Sequence, residues 1–176
     1  MPKKYYIMPV DTAQNELRVP VKALRNPYSG GGTFAAGMPQ FFGGTGEGDQ
    51  PHVAVLEKEV TEESRRTLQL TLASPEAAPE LFGRNDMYFY WTGSDGWRET
   101  GTPWNDGRGP DEREMDRIAI VGLARFDKDW GDDEIIAELV RQAGCGDAPD
   151  RGKQDFAISE TRVAFLRLIR LLLASS

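Results

Sequence analysis

Cysteine, histidine, basic charge and long apolar runs are all scarce in this 176-residue chain, and each scarcity excludes something. A single cysteine, Cys145, rules out an intramolecular disulfide and fits a reducing compartment. Its neighbours Gly144 and Gly146 suggest a loop, so a bystander thiol is expected there rather than a nucleophile. A single histidine, His52, excludes a histidine cluster and any zinc set. Lys and Arg total 21 against 28 Asp and Glu, a formal charge of −7. That balance argues against a sequence-independent grip on nucleic acid, which needs a basic surface. It does not exclude polyphosphates, which a metal can bring to an acidic site.

The amino-terminal segment is too short in apolar residues for a signal peptide and is cut by Asp11. The longest late apolar stretch, Val163 to Ala174, contains Arg167 and Arg170 and is too short to span a bilayer. A cytoplasmic location without membrane contact is expected. The apolar and charged fractions, 39% and 28%, are those of ordinary globular proteins, and the length suits one domain over residues 1–176.

Strand patterns occupy Tyr5 to Val10 and Leu17 to Leu24, the second ended by the turn-forming Asn26-Pro27. Residues 29–49 read as glycine-rich loop around a short strand near Met38 to Phe42. Pro51 suits the first turn of a helix reaching about Arg66. Thr67 to Leu72 alternates as a strand does, and Met87 to Gly93 has high β-propensity. Residues 93–112 read as a long loop, Ile118 to Phe126 as a buried strand, and Asp132 to Arg141 and Ile158 to Ala174 as helices. Together these elements predict one α/β domain.

The stretch FGGTGEGDQPHVAVLEKEVTEES, Phe42 to Ser64, places four glycines and a proline directly before a helix with three glutamates. At 100° per residue, Val53, Leu56 and Val60 share one side of that helix, while Glu59, Glu62 and Glu63 cluster beside it. Like charges at these spacings cost a few tenths of a kcal/mol per pair. Hard carboxylates on one face suit Mg²⁺ or Mn²⁺, and glycines let backbone approach a phosphate closely. Alternatively, Lys58, Glu62 and Arg66, at four-residue steps, form a solvated ion-pair ladder.

The order of residues resembles the Nudix box, G-x5-E-x7-R-E-U-x-E-E-x-G-U, in which U is apolar. Gly44 falls on the first glycine, Glu59 on the glutamate after the arginine, Val60 on the apolar position, and Glu62 and Glu63 on the paired glutamates. The match spans 23 residues, Gly44 to Arg66. Gln50 stands at the first glutamate position with Asp49 beside it, Lys58 at the arginine, and Arg65-Arg66 at the closing glycine and apolar pair. Lysine keeps the charge but lacks arginine's bidentate fork, and loss of the glycine means that the helix must stop in another way.

The resemblance implies an α/β/α sandwich around a mixed sheet. It also implies hydrolysis of a phosphoanhydride in a nucleoside-diphosphate-linked small molecule with Mg²⁺ or Mn²⁺. Glu59, Glu62 and Glu63 become candidate metal ligands, with Glu59 as the general base or its positioner. Lys58 takes the orienting role of the arginine, and Gln50 is a structural partner. Gly43 and Gly44 would lie against the substrate. Glu99, Glu112 and Glu114 are candidates for a further acid from outside the box. The substitutions at positions 50, 58 and 65 motivate a second reading: a fold relative that binds or senses a nucleotide or metabolite without hydrolysing it. A non-hydrolytic biosynthetic step on the same scaffold is a third.

Other phosphate and nucleophile motifs, G-x4-G-K-[ST], G-x-G-x-x-G and G-x-S-x-G, are absent. Trp97 and Trp104 lie in a polar stretch, where each could stack on a planar substrate group or cap the core edge. Asp127 to Glu134 lacks the glycine placement of a calcium loop, so Asp132 and Asp133 are read as caps of the following helix. Arg162, Arg167 and Arg170 are expected to pair with surface acids. The last helix is apolar on more than one side, so a second subunit could cover it and give a homodimer.

Overall fold

The structure, a computed structural model, describes residues 2–32, 35–144 and 159–175; Cys145 lies outside them. Its centre is β1, Lys4–Asp11, which is bonded along both edges. One edge runs parallel to β6, Met87–Thr92, which in turn pairs antiparallel with β5, Glu80–Arg84. The other edge is divided. Lys4 to Ile7 pair with β3, Phe42–Thr45, while Val10 and Asp11 pair with β2, Glu16–Lys22. Antiparallel to β2 runs β8, Met115–Gly122, which completes a mixed six-stranded sheet.

Period-two alternation sends the strand side chains to two cores. One face carries Met8, Val19, Phe89 and Val121, covered by α2, Asp132–Ala143, and α3, Ser159–Ala174. The opposite face carries Ile7, Phe42 and Tyr90, covered by α1, His52–Glu63, and a two-stranded ribbon of β4, Leu68–Leu70, and β7, Trp97–Glu99. This is the α/β/α layering around a mixed sheet that the box implied. No helix among the described residues is long and apolar enough to cross a membrane.

Three expectations need correction. The short strand before α1 is Phe42–Thr45, not Met38 to Phe42; Met38 instead accepts the Lys22 N–H, and Pro39 bridges Val21. The loop expected over 93–112 contains β7. The strand β5 was unassigned, although Asn85 and Asp86, both at positive φ, form the kind of two-residue turn that closes a hairpin. On α1 the buried apolar residues are Val55, Leu56 and Val60, with Val53 half-buried. Val55 turns inward because Gly46 leaves room for it, a Cβ there lying 3.4 Å from its methyl.

The end of α1 resolves the missing glycine. Arg66 N–H donates to Thr61 O at 2.8 Å and Arg65 N–H to Glu62 O at 3.0 Å, the paired bonds of a Schellman motif. Arg65, at the position after the Ser64 cap, has φ +51°, the left-handed conformation that glycine adopts freely. For an L side chain that costs about 1–2 kcal/mol. The guanidinium offsets it: Nε donates to Glu112 O at 2.7 Å, Nη1 to Asn105 O at 2.6 Å and Nη2 to Met115 O at 2.8 Å. It also lies over the Trp104 ring, 4.3 Å from its centroid. Arg66 bonds Glu112 at 3.0 Å, so the Lys58, Glu62, Arg66 ladder does not form.

The cap of α2 is Gly131 rather than Asp132 or Asp133; those acids sit in its first turn, near its positive end, and hold Arg170 at 2.6 Å and Arg162 at 2.9 Å. Arg167 departs from the expected pairing and lies over the Phe82 ring at 4.9 Å. Phe165, Leu166, Leu168 and Ile169 of α3 are buried within the chain itself, while Leu171 is exposed.

Arg65→Ala is expected to lower stability by about 2–4 kcal/mol in urea denaturation, because three charged hydrogen bonds go while the left-handed strain stays. Arg65→Gly should be less damaging by about 1 kcal/mol, since it relieves that strain. A glycine variant less stable than the alanine variant would contradict this account of the turn.

Candidate functional site

Two glycines fix how α1 meets the sheet. In β3, Gly43 faces Tyr6 and Gly44 faces Tyr5 across the pair with β1. A Cβ on Gly43 would lie 2.2 Å from Tyr5 O, and one on Gly44 would lie 2.4 Å from Glu59 Oε1. Gly43 thus admits β1, and Gly44 admits Glu59 of α1. The Glu63 carboxylate, 2% exposed, accepts the Gly43 N–H at 2.8 Å. His52, at the start of the helix, stacks on Tyr90 with ring centroids 4.9 Å apart, so it is an aromatic packing residue.

The three glutamates therefore have different surroundings. Glu63 is buried against Gly43, and Glu59 is half-buried beside Gly44. Glu62 borders a groove with Lys58, Thr61 and Gln69. No three histidine, cysteine, aspartate or glutamate side chains among the described residues converge closely enough to hold a metal ion. The three glutamates that the box implied as ligands differ in setting: Glu63 faces Gly43 of β3, Glu59 lies beside Gly44, and Glu62 borders the groove.

All three carboxyls are nevertheless held above their usual range. Burial pushes Glu59 up to about 7, with the charges of Glu62, Glu114 and Asp111 adding to it and Lys58 opposing it. Glu63 is raised well above its ordinary value, first by burial, then by Glu59 and Glu114, against the Gly43 hydrogen bond and Lys22. Glu62 is raised by burial, with Lys58 opposing and Asp111, Glu114 and Glu112 adding. Lys58 is itself exposed, and its charge acts on both Glu59 and Glu62.

Of the three acids considered outside the box, Glu114 alone acts on all three of these carboxyls. Together with Asp111 it comes from the 3₁₀ turn Pro110–Arg113 and the residue after it, which packs against α1. Tyr28 reaches over from the β2–β3 connection: its hydroxyl donates to Asp111 and lies 3.2 Å from Glu114 Oε1. Glu112 is taken up by Arg66 Nη2 at 3.0 Å and the Arg108 N–H at 2.9 Å. Glu99 lies 3.7 Å from Arg18, in a separate cleft. Asp111 and Tyr28 escaped sequence reasoning because neither belongs to a motif; a turn-forming Pro-Asp next to acids was the only available signal. Gln50 accepts the Glu47 N–H at 3.4 Å within its own turn.

The two tryptophans separate. Trp97 is 8% exposed, belongs to the core under α1 and donates its indole N–H to Val10 O at 3.0 Å. Packed this way it has no free face for a substrate ring. Trp104 is 38% exposed, with one face on Arg65.

No protein-family model matches the chain, and no curated protein matches it. Among solved structures, similar chains include a MutT from work on the Aliivibrio salmonicida and Vibrio cholerae proteins. It is 15% identical with a TM-score of 0.44, over 80% of this chain and 98% of that one. Another is a MutT Nudix hydrolase from Burkholderia pseudomallei, 12% identical with a TM-score of 0.48, over 95% of this chain and 97% of that one.

The raised carboxyls set a pH dependence. The folded protein keeps the Glu59 proton up to about pH 7, whereas the unfolded chain loses it near 4.5, and Glu63 shifts in the same direction. Unfolding therefore releases protons across that window, and stability falls as pH rises through it. The melting temperature is expected to be higher at pH 5 than at pH 8, each kcal/mol being worth about 2–4 °C at this chain length. Glu63→Gln, which can still accept the Gly43 N–H, should narrow the difference. Calorimetry at both pH values checks this, and a melting temperature that rises between them would overturn it.

Proposed function

We propose that the chain is a Nudix-like hydrolase that cleaves a phosphoanhydride in a nucleoside-diphosphate-linked small molecule. The observation that carries this reading is the meeting of Glu59 and Glu63 with the Gly43-Gly44 backbone, with Glu114 acting on both from the 3₁₀ turn. Carboxylate oxygens whose burial and mutual repulsion hold their protons are the donor chemistry that a hard divalent ion matches. Glu59, Glu62, Glu63 and Glu114 would have to draw together to hold Mg²⁺ or Mn²⁺, since no three of them converge among the described residues. When bound, such an ion neutralises diphosphate charge and lowers the pKa of a water.

The remaining roles belong to the chain. Glu59 is the candidate general base, or positions it, and takes a proton from the attacking water as the water oxygen bonds to phosphorus. The anhydride P–O bond then breaks, and the bridging oxygen leaves on the departing phosphate. Lys58 tempers the repulsion between Glu59 and Glu62. Gly43 and Gly44, without side chains, let the substrate backbone come close. The same fold would serve a cytoplasmic enzyme, alone or as a homodimer.

A binding module without turnover is the second reading, favoured by the departures from the box at Gln50, Lys58 and Arg65. A panel of nucleoside-diphosphate-linked compounds with Mg²⁺, followed by product analysis, separates the two. The expected result is metal-dependent cleavage that Glu59→Gln lowers by about 10²-fold or more without loss of folding. Thermal stabilisation by a nucleotide with no product formed would favour the binder, and unchanged turnover in Glu59→Gln would remove that residue from the chemistry.

A further inference from the structure

A second cleft, of about 360 Å³, opens on the α1 side of the sheet between β2, β8 and the β4–β7 ribbon. We propose that it binds a small aromatic carboxylate, independently of the acidic site. Its floor is apolar: Leu68, Ile118 and Ile120, the last 56% exposed. Trp104 forms one wall with the face that Arg65 does not cover. Ile120 and Trp104, left in water inside a concavity of ligand size, mark a binding surface more than scattered exposure does. The volume is at the small end of ligand sites, which points to a body of one or two rings.

The polar side of the cleft selects charge. Arg18 and Arg117 both line it, with Glu99 as its one carboxylate; Arg117 Nη2 is committed to Ala143 O at 2.7 Å and Gly144 O at 3.1 Å, which leaves Arg18 to meet a charged ligand. Arg18 is nine-tenths buried and lies over the Trp97 ring, 5.4 Å from its centroid, but its polar contacts are long. Its ion pairs to Glu16, Asp11 and Glu99 are 3.3, 3.6 and 3.7 Å long, and its buried Nε has no partner. A buried, unmatched donor costs about 1–3 kcal/mol, which a well-placed acceptor recovers. The planar guanidinium matches a carboxylate in a bidentate pair better than it matches three distant ones. The incoming carboxylate takes the place of Glu99, whose side chain is 68% exposed and free to turn to water. The ring then lies between Trp104 and the two isoleucines.

Calorimetric titration of the full chain with indole-3-carboxylate tests the assignment, with indole and acetate as the ring-only and charge-only controls. The wild type should bind indole-3-carboxylate about tenfold more tightly than either control. Ile120→Glu, at an exposed position, should weaken binding about tenfold at an unchanged melting temperature. Glu99→Gln should tighten it several-fold. The proposal is overturned if the wild type does not bind, if indole binds as well as its carboxylate, or if neither substitution moves the affinity.

Discussion

A buried carboxylate held by one backbone amide organises this molecule. Glu63 reaches the Gly43 N–H at 2.8 Å, while the missing side chain at Gly44 leaves room for Glu59 of α1 and that at Gly43 for Tyr5 and Tyr6 of β1. Burying a carboxyl is expensive, so a chain that does it must gain position in return. Here the gain is the pose of α1: with Glu63 pinned, Glu59 lies beside Gly44 and the helix end lies against the 3₁₀ turn that carries Asp111 and Glu114. The divided edge of β1 makes room for this, since β3 takes Lys4 to Ile7 and leaves only Val10 and Asp11 to β2.

Arg65 is the counterpart of that bond at the other end of the helix. One guanidinium collects the carbonyls of Asn105, Glu112 and Met115 and stacks on Trp104, so a single residue ties the long 100–114 segment to α1. The segment in turn faces two ways. Its 3₁₀ turn supplies acids to one cleft, and Trp104 supplies the wall of the other.

Elements marked by apolar runs, β-propensity or helical spacing were legible in the sequence: β1, β2, β6, α1, α2, α3 and the core of β8, which ends at Gly122 rather than Phe126. The strand β3 was misplaced because Phe-Gly-Gly-Thr carries no alternation; its glycines are demanded by Tyr5, Tyr6 and Glu59, which the sequence does not place beside it. Similarly, β7 is three residues long and pairs only with β4, so no local pattern announces it. The glutamates of α1 were found by order along the chain, yet their separate fates depend on which side of the helix β3 covers. The choice among Glu99, Glu112 and Glu114 rested on tertiary partners: Arg18 for the first, Arg66 for the second and the α1 acids for the third. The turn at Arg65 ran against the local rule that favours glycine, because its compensation comes from residues about 40 to 50 positions away.

On the far side of the sheet, Asp132 and Asp133 serve two masters, the amide end of α2 and the guanidiniums of Arg170 and Arg162. These pairs are solvent-facing, so dissolved ions screen them, while the apolar seam beneath, Ile135 and Leu139 within the core that holds Phe165 and Ile169, is indifferent to ions. The helical layer is thus held by one force and aligned by another. Concentrated electrolyte should loosen the mutual alignment of the two helices without parting them, whereas the carboxylate-amide contact across the sheet, shielded from solvent, keeps its geometry.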